Sequence, residues 1–489
     1  MNKKILIGTL CSALTLFTAC DLDKYPTNSI AQDEAWNSLT DAQKFRIGIY
    51  SYLQVISGGR NVYPQEFQSD LYNALAGFGN NGGDMHRWDF TSSQYDIEYI
   101  WQYNYVCINN CNNIINNIDN ITVADNNEQI EANNIKGEAY LLRAYCYHTL
   151  ALRFAKDYDP STAESTLGLP LITVADVNAK PSRSSLAATY KLIKEDIAQA
   201  RQLLTTVGEA NSDYFTTDVI DALEARVDLY MHNYDEAITL SQSIISKYPL
   251  ITTVDGLADM CLNDEGSEVL MRVNISPDDY SSYCENTGYL NWSSSYNTYS
   301  PYFVPSQWVI DLYEENDIRK QAYFVKDVLT TNNIKGTDIY MLNKYPGNPI
   351  FESIAKNLYY NMWKPFRAAE FYLIAAEAAY QNNNETTALS MLNDLRTKRG
   401  ASALAVSGSD LFQSIKEEWI REYIGEGQRL EGLKRWGDGF TRHDPQDTNI
   451  ISIGTGMESL SIEANNIRFV WEIPANDQNA NKNLEPNWN

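Results

Sequence analysis

Apolar residues recur at three- and four-residue spacing over Asp41 to Ser57, Tyr95 to Ile118, Glu128 to Phe154, Ser185 to Leu204, Thr217 to Met231, Tyr234 to Lys247, Ala368 to Gln381, Thr386 to Arg399 and Ser409 to Tyr423. That repeat is the mark of a helix with one buried face. Between these blocks, Arg60 to Gln94, Pro160 to Ser184 and Asn263 to Pro349 show little helical periodicity. Loops of such length in a compact protein are usually functional. Short strand patterns occur at Val269 to Ile275 and Ile467 to Ile473. The pattern predicts a mainly α fold with small β pieces, in which the irregular segments 60–94 and 263–349 form the ligand-facing side.

Two regions look like tetratricopeptide helix pairs. Ala225 and Ala237 are twelve apart with Pro249 twelve further on, and Ala376 and Ala388 repeat the separation around the turn at Asn382 to Asn384. Small residues at these points let paired helices approach closely. The expected pairs are 41–57 with 95–118, 128–154 with 185–204, 217–231 with 234–247, and 368–381 with 386–399. No Pro-, Gly- or Ser-rich linker marks a boundary, so residues 20–489 are expected to form one domain.

The N-terminus has a different character. Lys3 and Lys4, the apolar run Ile5 to Phe17, then Thr18 and Ala19 before Cys20 have the layout of a secretory signal over residues 1–19. Leu16 to Cys20 looks like a bacterial lipobox, which would make Cys20 the lipidated first residue of the mature chain. The net charge is -25, and removing the signal takes away two lysines and no acid. Such a surface is a poor partner for nucleic acid. Cys107 and Cys111 would share a helix face, but without a second Cys or His pair they read as small buried residues rather than a metal site.

Residues 280–308 carry nine aromatics in 29 positions, where the chain's 12% would give between three and four. Ser, Asn and Gly fill the gaps. Rigid rings stack on the apolar face of a sugar at small entropy cost while amides and hydroxyls bond its hydroxyls, so the mixture suits carbohydrate. Peptides and protein partners also suit flat rings. Tyr299, Pro301 and Phe303 read as loop anchors, leaving Tyr289, Trp292 and Tyr296 as the expected ligand contacts. A second candidate is Trp88, in the glycine-rich stretch Gly77 to Gln94.

Other signals are weak. Gly77, Gly79 and Gly82 spell GxGxxG without the flanking strand and helix of a dinucleotide site. Asp157, Asp159 and Ser161 begin like a calcium loop, but Thr162 and Gly168 break it. The four histidines have no zinc spacing, and no GxSxG elbow occurs. No cofactor or metal is expected, and the charged run Glu418, Arg421, Glu422, Glu426 and Arg429 reads as scaffold. With 63 acids, a carboxylate pair for glycoside hydrolysis stays open as a weaker alternative.

The mature chain resembles the SusD/RagB family of outer-membrane nutrient-binding lipoproteins. The likeness rests on the Cys20 lipobox, on EAYLLRAYCYHTLALRF followed by GLPLIT, on FRAAEFYLIAAEA and LNDLRTKRGA, and on REYIGEGQRLEGLKRWG. The closing IPANDQNANKNLEPN is similar too. The resemblance implies a tetratricopeptide scaffold lying as a lid over a SusC-like TonB-dependent transporter, with glycan binding and no catalysis. The acidic Asp21 and Asp23 resemble the family's signal for display on the cell surface. Peptide capture, or a lid without glycan affinity of its own, are the alternatives.

Overall fold

The computed structural model describes residues 35–174, 178–278, 286–352 and 359–488. The signal segment, Cys20, and Tyr280, Tyr283 and Cys284 of the aromatic stretch lie outside them.

The helical blocks form as the periodicity predicts: α1 (Leu39–Ile56), α2 (Tyr95–Asn117), α3 (Asn126–Phe154), α4 (Leu186–Leu203), α5 (Thr217–Tyr230), α6 (Tyr234–Lys247), α7 (Ala368–Gln381), α8 (Glu385–Lys398) and α9 (Gly408–Tyr423); α10 (Gln428–Trp436) follows as a helix outside the predicted blocks. Side chains close several N-termini. Ser38 and Asp41 form a capping box on α1, Asp125 accepts from two amides of α3, and Thr216 caps α5. The four expected pairs pack as antiparallel neighbours, and Ala225, Ala237, Ala376 and Ala388 are fully buried between them. Because α6 packs directly on α7, the two repeats stack although Tyr248 to Arg367 intervenes. A core helix results, with α7 buried continuously from Ala368 to Ala379.

The intervening segment, together with Phe67 and Tyr72 from before α2 and Ile424 from the end of α9, builds a second lobe whose core includes Tyr289, Phe303 and Tyr323. Its sheets join distant parts of the chain. β1 (Tyr72–Ala74) pairs antiparallel with β5 (Phe303–Pro305), and β2 (Val269–Met271) pairs with β8 (Phe366–Arg367). A four-stranded sheet runs in the order β3 (Trp292–Ser293), β4 (Thr298–Tyr299), β6 (Phe324–Thr331), β7 (Ile334–Leu342). The β6–β7 hairpin is regular structure inside a segment expected to be irregular. Its two-residue turn, Asn332 and Asn333 at φ 47° and 64°, has the left-handed pair that asparagine tolerates. The alternation is broken by a register shift between Asp327 and Leu329, which blurs the strand pattern. Ile467 to Ile473, by contrast, is no strand. Asn466 accepts from the Arg468 amide and winds Ile467–Phe469 into a single 3-10 turn.

A buried ionic cluster ties the lobes together. Glu422, at the end of α9, accepts from Arg367 (2.9 Å), Arg399 (3.0 and 3.1 Å), Arg319 (3.2 Å) and the Tyr323 hydroxyl (3.0 Å). Glu268 closes the ring through Arg399 (2.8 Å) and Arg367 (3.2 Å), and Glu418 holds Arg319 (2.7 Å), Arg396 and Arg421. Burial alone would raise the Glu422 carboxyl, but Arg399, Arg367 and Arg319 hold it far below the usual carboxylate range. Glu426 pairs with Lys344 and Arg367, and Arg429 with Asp70 at 2.7 Å. The charged run near the C-terminus is therefore scaffold. Cys107, Cys111 and Cys146 lie together in the helical core, where burial keeps their thiols protonated.

Candidate functional site

The two segments singled out by sequence converge on one cleft of about 460 Å³. Its floor is the short helix Tyr63–Gln68. Pro64 starts that helix, and Phe67 stacks on Phe303 at 3.8 Å and on Tyr63 at 5.1 Å. One wall is Asn80, Asn81 and Gly82, from the loop that follows β1; the other is Thr287 and Tyr302, from the aromatic stretch. Tyr95 and Asp96, at the start of α2, close the third side.

Each wall is fixed by its own chemistry. Asn80 and Gly82 adopt left-handed backbone (φ 62° and 68°), and the Asn80 side-chain oxygen Oδ1 accepts from Arg87 at 2.8 Å. Gly77 donates its amide to Thr331 Oγ1 at 2.7 Å, and a Cβ there would meet that oxygen at 2.8 Å. Gly77, the first glycine of the GxGxxG run, thus serves close packing. A Cβ on Gly82 would lie 2.6 Å from the Phe67 ring. Gly82→Ala is therefore expected to destabilise the chain by about 1–3 kcal/mol in urea melts, from strain and overpacking combined. Tyr95 is 58% exposed, with Tyr99 and Tyr103 packed behind it as tilted rings at successive centroid spacings of 6.0 and 4.5 Å. An exposed, braced ring beside amides and a carboxylate is a platform on which a flat, hydroxyl-rich ligand can stack and hydrogen-bond.

Beneath the floor, Glu66 accepts the amides of Gly427 (2.6 Å) and Gly425 (3.2 Å). Burial nevertheless pushes its carboxyl up to about 7. A folded-state value above the unfolded one gives stability that is full below about pH 4.5 and lost as pH rises through 7. Glu66→Gln should flatten the fall in unfolding free energy between pH 5 and 8. Parallel denaturation of both proteins at the two pH values measures it, and equal slopes would contradict the assignment.

The expected contacts fare differently. Trp88 is 5% exposed, its indole packed edge-on to Phe469 (4.9 Å) and Phe440 (5.7 Å) and its Nε1 donating to the Gln68 carbonyl at 2.6 Å. Tyr289 is 1% exposed among Tyr63, Phe67, Tyr72 and Tyr345. Both are core residues in this conformation, without a face open to ligand. Trp292 is half-buried, edge-to-face with Tyr299 at 5.2 Å, and Tyr296 stands 40% exposed at the tip of the β3–β4 hairpin. Neither lines the cleft. The residues that do line it were missed because their signal is spatial. In the sequence Tyr95 marks only the first residue of an amphipathic helix, opposite the buried Ile97 and Ile100.

Comparison with known proteins fits this architecture. A model described as SusD family matches residues 312–488, and one described as starch-binding associating with outer membrane matches residues 22–229. The chain belongs to the SusD/RagB family. Within SusD/RagB, it is 26% identical to the SusD-like protein P38 of Formosa agariphila over 87% of this chain and 88% of that one. It is 30% identical to the starch-binding protein SusD of Bacteroides thetaiotaomicron over 25% of this chain and 20% of the other. Among solved structures, a SusD superfamily protein from Bacteroides thetaiotaomicron superposes with TM-score 0.77 at 22% identity, covering 92% and 100% of the two chains. The surface glycan-binding protein A of Bacteroides fluxus gives 0.69 at 18%, covering 90% and 96%. These likenesses bear out the mainly helical fold with paired helices and small β pieces.

Proposed function

We propose that this protein is a lipid-anchored outer-membrane lipoprotein, tethered through Cys20, that binds glycan at the cell surface and passes it to a SusC-like TonB-dependent transporter. The observation that carries the reading is the cleft, where the exposed Tyr95 ring faces half-buried Tyr63 and Tyr302 with Asn80, Asn81, Asp96 and Thr287 between them. Trp292 and Tyr296 on the nearby hairpin extend the contact to longer chains. The relatives named starch-binding and glycan-binding support the ligand class. Residues 20–489 act as one binding domain.

Binding without catalysis is part of the proposal. Asp96 is the one carboxylate among the lining residues described, whereas glycoside hydrolysis in most families needs two flanking the scissile bond. The acids clustered deeper inside, Glu418, Glu422 and Glu426, are held by arginine and lysine.

The test is a calorimetric screen of residues 21–489 against neutral polysaccharides, their oligosaccharides and a peptide digest. Saturable binding of a glycan with no release of reducing ends is expected. Binding of peptide alone would replace the ligand class, and silence toward all would leave only a transporter lid.

A further inference from the structure

A second groove, of about 420 Å³, shares no lining residue with the cleft. It runs along α1, where Gln43, Arg46 and Gln54 face the segments carrying Tyr214 and Asn274. Tyr214 is 46% exposed yet held still. Its amide donates to Ser212 Oγ, the next amide donates to the Tyr50 hydroxyl at 2.9 Å, and Ser212 is bridged to Met271, the last residue of β2. The Arg46 guanidinium lies 4.2 Å from the centre of the Tyr214 ring, and Tyr50 meets that ring at 5.0 Å and 80°. Arg46 is itself locked to the buried Glu138 by bonds of 2.7 and 2.6 Å.

An exposed aromatic normally moves with solvent, and ordering one on binding costs free energy. Here that ordering is already done. The groove's charges are also answered internally: Arg46 by Glu138 and Glu131, and Asp213 by Arg272 at 2.7 Å. Gln43, Gln54 and Asn274 line the same groove with side-chain amides, Gln54 fixed by donating its Nε2 to the Asn274 carbonyl at 2.8 Å. A fixed ring in a groove lined with amides, without an uncompensated charge, selects a neutral, hydroxyl-rich ligand over an anion or a cation.

We propose that this groove is a second saccharide subsite, with Tyr214 as its stacking platform, engaging a polysaccharide already held in the cleft. The proposal rests on the reading of the protein as a glycan binder. Two subsites on one long chain make the second contact intramolecular, so its effect shows in polymer binding and vanishes for short oligosaccharides.

The experiment compares the mature chain with Tyr214→Ala, Tyr214→Phe and Tyr95→Ala. Affinity electrophoresis in soluble starch, xylan, laminarin and galactomannan reads polymer binding, and calorimetry with the matching hexasaccharides reads the cleft. Tyr214→Ala is expected to weaken polymer binding by about three- to tenfold and leave hexasaccharide affinity unchanged, with Tyr214→Phe restoring the polymer value. Unchanged polymer binding in Tyr214→Ala overturns the subsite and leaves the cleft reading intact. Loss caused by Tyr214→Ala but not by Tyr95→Ala keeps the subsite and overturns the cleft. Failure of the wild-type chain to bind any glycan overturns both, as does capture of casein-digest peptides alone.

Discussion

Glu422→Ala is expected to unfold the protein or leave it too unstable to purify. The substitution removes one carboxylate shared by three guanidinium groups, Arg319, Arg367 and Arg399, each no more than 1% exposed, and leaves Glu268, Glu418 and Glu426 to answer them. Breaking one buried pair typically costs about 3–5 kcal/mol, and here three cations lose a partner at once. A whole domain is stable by only about 5–15 kcal/mol. Urea denaturation followed by tryptophan fluorescence is the measurement. Glu422→Gln keeps the volume and an acceptor and should fall between. The exposed pair Lys191 and Glu195, 3.9 Å apart, sets the contrast, since Lys191→Ala should change stability by less than about 0.5 kcal/mol. A mild Glu422→Ala phenotype would mean that the cluster does not hold the two lobes together.

Tyr95→Ala is expected to weaken glycan binding by roughly 10- to 100-fold, the equivalent of about 1.5–3 kcal/mol for a large ring lost from a contact. Because the side chain is 58% exposed and sits on the first residue of α2, stability should move by no more than about 0.5 kcal/mol. Tyr95→Phe keeps the stacking face and should bind within a few fold of wild type. Calorimetry on the three proteins separates a stacking role from a hydroxyl contact. Equal affinity in Tyr95→Ala and wild type would take the ring out of the site.

The helical scaffold was legible because periodicity reports burial on one face, and α1 to α9 need little else. Small residues marked two of the helix pairs, since Ala225, Ala237, Ala376 and Ala388 are fully buried where helices meet. The β6–β7 hairpin was not, because its bulge breaks the alternation on which strand reading depends. Candidate ligand contacts were legible only to the level of the segment. Aromatic enrichment marks a stretch as rich in rings without saying which of them pack inward. Tyr289 and Trp88 went to cores assembled from Tyr63, Phe67 and Tyr72 in one case and Phe440 and Phe469 in the other. Tyr63, Asn80 and Tyr95 became cleft residues only when β1 paired with β5 and brought residues some 230 positions apart into register, Tyr72 opposite Pro305.

Glycan is proposed to bind in the cleft between Tyr63, Tyr95 and Tyr302. A crystal structure of residues 21–489 with the tightest glycan from the screen tests it most directly. A sugar ring stacked on Tyr95, with its hydroxyls bonded to Asn80, Asn81 or Asp96, is the expected result. A glycan bound elsewhere on the surface while this cleft holds only solvent would contradict it.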